Sequence, residues 1–500
     1  MKFAGGSAMR EMDRYTIENI GIPGQTLMLR AARGAAEAAA GMLPDGGRVL
    51  VLSGSGNNGG DGIGMTALLL ENGYEAVCVM VGNETKLSAD SVAMRQRLEQ
   101  TGGKLLPYTG PEILDGNWDL IVDALFGTGL SRPIAGKYAE LIAAVNAKDV
   151  PVLACDISSG IHADTGEILG CAVRADTTVT FHLPKTGQLL PPGTEYTGRL
   201  LVHDIGIPEE ALERVKLDGT YVTEELVRSW LHKPSLESHK GDLGKVLLIC
   251  GSTGFTGAAA LAARAALRTG AGLVYLAVPE PVYPILASKL DEPVVFPMPA
   301  SGNGRFSRIG VPELQERLKD VDACLVGPGM GQCYDTEEVV YGILEEAKCP
   351  VVLDADGINV LAGHIDRLDK VSVPVVLTPH AGEFRRIGGD PAKNRMDAAR
   401  EMAERTGAVI VLKGYRTVVA GPNGEIYVNS TGNPGMATGG SGDVLSGILT
   451  CLLGQGMEPV QAAAAAVWLH GAAGDRCAAR LGIRSMLPTD IIGALSEILR

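Results

Sequence analysis

The sequence predicts an α/β protein in two domains, the second with a mostly parallel sheet. Short runs of branched apolar residues, such as residues 48–52 (RVLVL) and 245–250 (KVLLIC), recur along the chain with helical stretches between several of them. That alternation is the pattern of a parallel sheet covered by helices. Several of these runs end in glycine-rich or Asn/Asp-bearing segments, and an open parallel sheet gathers its ligands at such strand ends. The length of 500 residues allows about two to four domains, and a hydrophobic content of 46% supplies ample core without disulfide or metal staples.

The elements follow in order. Residues 31–40 are alanine-rich and helical, and residues 48–52 form a buried strand. The strand runs into a glycine loop, SGSGNNGGDG over residues 53–62, before a helical pattern resumes at 65–70. Gly54, Gly56 and Gly59 satisfy the G-x-G-x-x-G spacing of a dinucleotide turn. That fingerprint also wants an acid near the end of the second strand, here residues 76–81, yet Glu75 precedes the strand and Glu84 lies beyond it. The oxygens of Asn57, Asn58 and Asp61 suit a cation or a hydroxylated substrate as well. Residues 118–123 are a third strand ending in Asp123, followed by the loop FGTGLSRP at 126–133. Residues 152–156 are a fourth, ending in Asp156. A helix cap or turn role is the simpler reading for each acid taken singly. Three polar strand ends in sequence point to a ligand crevice.

Residues 203–208 close the first sheet, 209–216 are a short charged helix, and 217–220 are a turn. The boundary falls at 213–221, giving domains 1–213 and 221–500, with 222–231 the first helix of the second. Further strands are expected at 245–250, 273–278, 323–326, 351–354, 375–377 and 409–412. Thr378-Pro379-His380-Ala381-Gly382-Glu383 lies between a strand and a helical pattern. Glu383 could carry Mg2+ through water, because phosphotransfer needs a counter-charge. His380 is open between a ligand contact and a structural hydrogen bond. Lys413-Gly414-Tyr415-Arg416-Thr417 links two strands and places two cations near the next motif. That motif is GNPGMATGGSGDVLSG, residues 432–447, with a helix starting near Ser441. A glycine-lined helix start offers free N–H donors to a phosphate. Asp443 beside it makes sense as the base that takes a proton from a hydroxyl during phosphoryl transfer. A glycine-rich turn before a core helix is the plainer alternative.

Composition limits the function classes. Lys and Arg total 44 against 58 Asp and Glu, a net charge of −14, which argues against a general nucleic-acid or membrane binder. The start MKFAGGSAMREMDR lacks the apolar core of a signal peptide, and no apolar run is long enough to cross a bilayer. The nine cysteines form no C-x-x-C pair and read as reduced thiols of a cytoplasmic protein.

The motifs N-N-G-G-D-G, D-A-L-F-G-T-G-L-S-R-P and D-I-x-S-G-x-x-x-D-T-G resemble the N-terminal half of the bifunctional NAD(P)H-hydrate repair enzymes. S-H-K-G-D-L-G, L-D-A-D-G-I-N, T-P-H-A-G-E-F and N-P-G-M-A-T-G-G-S-G-D resemble their C-terminal half. The resemblance covers nearly the whole chain; Ser158 stands where the family usually has proline, and Gly357 where it commonly has alanine. It implies a Rossmann-like three-layer α/β/α sandwich followed by a ribokinase-like α/β domain. The first would epimerise hydrated NADH and NADPH, and the second would dehydrate the S form at the expense of ADP. By resemblance Asn57, Asn58, Gly59, Gly60 and Asp61 contact the hydrated nucleotide in the first domain, as do Gly127, Thr128, Gly129, Leu130, Ser131, Arg132 and Pro133. Asp156 touches the reacting ring, and Asn58, Asp123 and Ser159 hold potassium. In the second domain Gly329, Thr378 to Glu383 and Asp443 face the hydrated cofactor. Lys413 to Thr417 hold ADP, together with Asn433, Pro434, Gly435, Met436, Ala437, Thr438, Gly439, Gly440, Ser441 and Gly442. The expected partners are hydrated NAD(P)H and ADP, with no nucleic acid and no membrane, in a homo-oligomer. A vitamin or sugar kinase with a nucleotide-binding module in front is the alternative enzyme, and a non-catalytic scaffold the alternative from another class.

Overall fold

Seven short strands of the N-terminal half pair side by side. They are β1 (Arg48–Ser53), β2 (Glu75–Met80), β3 (Leu105–Pro107), β4 (Leu120–Ala124), β5 (Val152–Cys155), β6 (Thr177–Phe181) and β7 (Arg199–His203). Their order is β3-β2-β1-β4-β5-β6-β7, every pair parallel. The computed structural model describes residues 1–233, 235–390 and 393–500. They divide into two units, Lys2–Gly219 and Thr220–Arg500, the second also taking in Met1.

Side chains alternate across a strand, so β1 serves two layers at once. Val49 and Val51 enter a core with the alanines of α2 (Gly24–Ala40), while Leu50 and Leu52 enter another with Leu141, Ile142 and Val145 of α5 (Lys137–Asn146). The strand order reverses between β1 and β4, and ligand crevices form at such a switch. Leu52 there pairs with Asp123.

Helix α3 (Asn57–Glu71) begins where the sequence reads as loop. Glycine's low helix propensity hides this start, but packing overrides it. A Cβ on Gly59 would lie 1.9 Å from the Gly54 carbonyl oxygen, and one on Gly60 would lie 2.4 Å from Ser91 Oγ. Only bare glycine lets the first turn settle against the end of β1 and against α4 (Ala89–Gln100). Gly59→Ala is therefore expected to destabilise this unit by about 1–3 kcal/mol, read as a lower urea midpoint. An unchanged midpoint would refute the packing role.

In the second unit the strands are β8 (Gly219–Val222), β9 (Lys245–Ile249), β10 (Leu273–Pro279), β11 (Val294–Met298), β12 (Ala323–Val326), β13 (Val351–Leu353), β14 (Val375–Leu377), β15 (Val409–Leu412), β16 (Val418–Ala420) and β17 (Ile426–Asn429). They run in the order β8-β17-β16-β15-β14-β13-β12-β9-β10-β11. Pairing is parallel from β11 to β15, antiparallel through β15-β16-β17, and parallel again at β8. Residues 217–222, expected as a turn and a helix start, contain strand β8 instead. The helix waits for Thr223, whose hydroxyl caps Glu224–Trp230. One face is filled by α6 (Thr256–Thr269), α8 (Ser441–Gly454), α9 (Pro459–Leu481) and α10 (Pro488–Ile498), packed on Val246, Leu325, Val352 and Val376; α7 (Ala381–Arg386) follows β14. Among the described residues, no helix is long and apolar enough to cross a membrane, and the cysteines are free thiols, mostly buried.

Candidate active sites

A cavity of about 730 Å³ opens at the switch point of the N-terminal sheet. Asn57, Asn58, Asp61, Gly127 to Arg132 and Asp156 line it, and Gly59, Gly60 and Pro133 do not. The two glycines serve the close packing of α3 described above.

Asp123 ends β4 and is 1% exposed. Its Oδ1 accepts from Ser159 Oγ at 2.6 Å and from the Leu125 N–H at 3.2 Å, and its Oδ2 accepts from the Ser159 N–H at 2.7 Å. Burial pushes its carboxyl up to about 6, against these donors. Asn58 is buried beside the Gly127 backbone, and among the described residues neither Oδ1 nor Nδ2 finds a hydrogen-bond partner. A buried amide left in that state is unfavourable. Asn58, Asp123 and Ser159 each carry a side-chain oxygen, the donor type a hard cation prefers.

Asp156 follows β5 in a left-handed conformation, φ 64°, which is uncommon for a residue with a Cβ. Its N–H donates to the Val179 carbonyl at 2.7 Å, and its own carbonyl accepts from Gln188 Nε2, also at 2.7 Å. The side chain forms an ion pair with Lys185, Nζ to Oδ1 2.5 Å. Lys185 is 1% exposed, and Asp13 of α1 (Gly6–Tyr15) lines the same cavity.

The second site forms where α8 begins. Gly440 turns the chain at φ 96°, and a Cβ on Gly439 would meet nothing within 4 Å. A Cβ on Gly442 would meet only Lys413 Nζ at 3.4 Å and Asp354 Oδ2 at 3.9 Å. The Ser441 and Val444 N–H groups donate to the Thr438 and Gly440 carbonyls, while those of Gly442 and Asp443 have no intrahelical partner and stand above a charge cluster. Asp354, 2% exposed, is its centre. It accepts from Lys413 Nζ at 2.8 Å, Thr378 Oγ1 at 2.7 Å and Ser446 Oγ at 2.6 Å. Burial alone would raise its carboxyl, yet Lys413 and the two hydroxyls hold it below the ordinary range. Asp443, half-buried in the first turn, has no such donors among the described residues. Burial and then the Asp354 charge push it up to about 7, against the pull of Lys413. A carboxylate poised near neutrality beside an anion-binding helix end can take a proton from a hydroxyl while a phosphoryl group is held.

Lys413 points into this cluster, with Glu383 Oε2 also 3.8 Å away. His380 caps α7: its Nδ1 accepts from the Gly382 N–H at 2.9 Å, and Glu383 Oε2 accepts from the His380 N–H at 2.8 Å. The reciprocal cap gives His380 a structural role through Nδ1, while its side chain stays 54% exposed. Arg416 donates to Tyr221 OH and the Ser430 carbonyl, while Tyr415 is exposed. Asn433 Nδ2 donates to Asp475 Oδ1 at 2.9 Å, which pins the 433–438 loop to α9. Ser441 Oγ lies 3.2 Å from His470 Nε2, and burial holds that ring near 4 and neutral. Gly329, φ 67°, packs against Phe255.

Family models match both halves. One, described as NAD(P)H-hydrate dehydratase, covers residues 246–497, and one described as YjeF-related protein N-terminus covers 24–187. A relative from Moorella thermoacetica named Bifunctional NAD(P)H-hydrate repair enzyme Nnr is 42% identical, over 91% of this chain and 87% of its own. The chain belongs to the bifunctional NAD(P)H-hydrate repair enzyme family. An Escherichia coli K12 member of the same name is 34% identical over 98% of this chain and 92% of its own. A crystal structure named as a Bacillus subtilis ADP/ATP-dependent NAD(P)H-hydrate dehydratase, co-crystallised with ATP and Mg2+, is 34% identical. It covers 56% of this chain and 98% of its own, with a TM-score of 0.49.

Within this repair-enzyme chain, three charged residues escaped the sequence reading as parts of a site: Asp13, Lys185 and Asp354. Lys185 carried a usable signal. It stands in TTVTFHLPK, and a lone cation in an otherwise uncharged, largely apolar run must find a buried partner.

Proposed function

We propose that the N-terminal unit interconverts the R and S epimers of hydrated NADH and NADPH, and that the C-terminal unit returns the S epimer to NAD(P)H, converting ADP to AMP and phosphate. The observation that carries this reading is Asp443, near neutrality at the bare end of α8. Water is a poor leaving group from the hydrated ring. Asp443 takes the proton of the 6-hydroxyl as that oxygen attacks the terminal phosphate of ADP, held at the helix N-terminus. The phosphorylated oxygen then leaves as phosphate, pushed by the ring nitrogen, and the dihydropyridine is restored.

Lys413 serves here by fixing the charge of Asp354, so the nucleotide's charge is met by backbone N–H groups and by the exposed side of the 414–417 turn. Mg2+ neutralises phosphate charge when it arrives with the nucleotide. Glu383 is engaged as a cap, and among the described residues no group of three or more His, Cys, Asp and Glu is placed to hold a metal. In the N-terminal unit Asn58, Asp123 and Ser159 fit potassium, which supplies a fixed positive charge for a substrate oxygen. The lone Asn58 amide supports that placement. Asp156 is the proton-moving group at the ring. The free thiols fit a cytoplasmic enzyme.

Incubation with mixed hydrate epimers, ADP and magnesium is expected to restore all of the dihydropyridine absorbance. Recovery that stops at the S fraction would remove the epimerase half. A stable phosphorylated product that accumulates would replace the dehydratase reading with a small-molecule kinase.

A further inference from the structure

The N-terminal cavity contains two carboxyls to which the reading above gives no proton-handling role, Asp61 and Asp13. Asp61 of α3, Asp156 after β5 and Asp13 of α1 all line it, with Lys185 the buried cation among them. The three N–H groups of Lys185 are taken by Asp156 Oδ1 at 2.5 Å, Thr180 Oγ1 at 2.8 Å and the Phe181 carbonyl at 3.1 Å. No N–H of this lysine is left for Asp13. Arg10, on the same helix, donates to the Thr128 carbonyl at 3.2 Å. Of the other charged lining residues, Arg132 is exposed and Asp90 belongs to α4. The Asp13 carboxyl makes no hydrogen bond and no ion pair among the described residues. Burial pushes it up to about 6, Lys185 opposing and the Asp156 charge adding.

We propose that Asp13 is a second acid–base residue of the epimerase cavity, acting with Asp156 from a separate element on the ring hydroxyl. This rests on the epimerase reading above. Inverting one carbon by exchange of its hydroxyl requires a group that helps oxygen leave and a group that helps it return. One carboxyl of this pair stands in an ion pair and the other stands alone, a division of environments that suits an acid and a base. Asp13, protonated, gives its proton to the 6-hydroxyl. The carbon–oxygen bond breaks with its electron pair on oxygen, water leaves, and the ring nitrogen's lone pair forms a C=N bond to that carbon. Water adds to the opposite face, the C=N pair returns to nitrogen, and Asp156 accepts the proton that the added water sheds. One proton enters from Asp13 and one ends on Asp156, so exchange with solvent resets the pair. No oxidant or further reactant is needed.

The test follows purified R-hydrate becoming S-hydrate by chromatographic separation of the epimers, without ADP, across pH 5 to 8. ADP-dependent consumption of pure S-hydrate is measured in parallel. Asp13→Asn is expected to slow epimerisation about 100-fold in kcat, with KM and S-hydrate consumption unchanged. The wild-type decline in rate above pH about 6 should vanish with it. Asp13→Glu should recover part of the rate with its decline displaced in pH. Wild-type rate and pH profile in Asp13→Asn would overturn the proposal. So would an equal loss in Asn and Glu variants with the pH profile unmoved, which marks a structural role. Wild-type protein that leaves R-hydrate untouched would instead overturn the epimerase reading beneath it.

Discussion

Asp443→Asn is expected to lower kcat for ADP-dependent recovery of NAD(P)H by about 10²–10⁴-fold while making the C-terminal unit more stable above neutral pH. The two effects have one cause. Burial and the neighbouring Asp354 hold the native carboxyl near 7, whereas an unfolded one titrates near about 4. Below about pH 4 both states are protonated and the shift has no effect. Between about 4 and 7 the native state keeps a proton that the unfolded state releases, so stability falls as pH rises. Above about 7 the group is charged in both states, and the native state bears the whole cost of a poorly solvated carboxylate. Asparagine removes that cost. One pKa unit corresponds to about 1.4 kcal/mol, and discounting for partial exposure leaves a gain on the order of 1–3 kcal/mol at pH 8 and none at pH 4. For the unaltered enzyme, kcat with S-hydrate should climb with pH through a midpoint near 7. A variant that keeps its rate would remove the base, and one that gains no stability at pH 8 would remove the electrostatic account.

Lys185→Met is expected to destabilise the N-terminal unit by about 3–5 kcal/mol and to abolish conversion of R-hydrate. The pair it breaks has side chains 2% and 15% exposed, so removing the lysine leaves a mostly desolvated carboxylate without its cation. Asp156→Asn in the same background should return much of the lost stability, because no charge is then stranded, while epimerisation stays lost. Urea unfolding of the single and double variants gives the coupling between the two residues. Additive losses would show that the pair is not a unit.

The alternating strands and the helix at Ser441 were legible because apolar periodicity and a glycine start report local geometry directly. The acids at the ends of β4 and β5 were legible for the same reason, since a strand's last residue must reach the sheet edge. What was not legible depends on distant partners. Nothing near Asn57 announces a helix, because its first turn is licensed by Gly54, just beyond the preceding strand. Three of the five residues of β6 are buried threonines, so no continuous apolar run marks the strand. Lys413 reads locally as a cation at a strand end, and its buried partner Asp354, 59 residues away, is not signalled by anything near it. Asp13 stands in a helix whose sequence, GSAMREMDRY, looks like any solvated face.

Gln188 and Lys185 grip Asp156 from one short turn, one by its main-chain carbonyl and the other by its side chain. A residue anchored at both ends has few alternative poses to give up when a ligand arrives, so the entropy lost on association falls chiefly on the small molecule. Epimers that differ at a single carbon would then meet a rigid template, and one that accepts both must owe its tolerance to the room around the ring, not to adjustment of the acid.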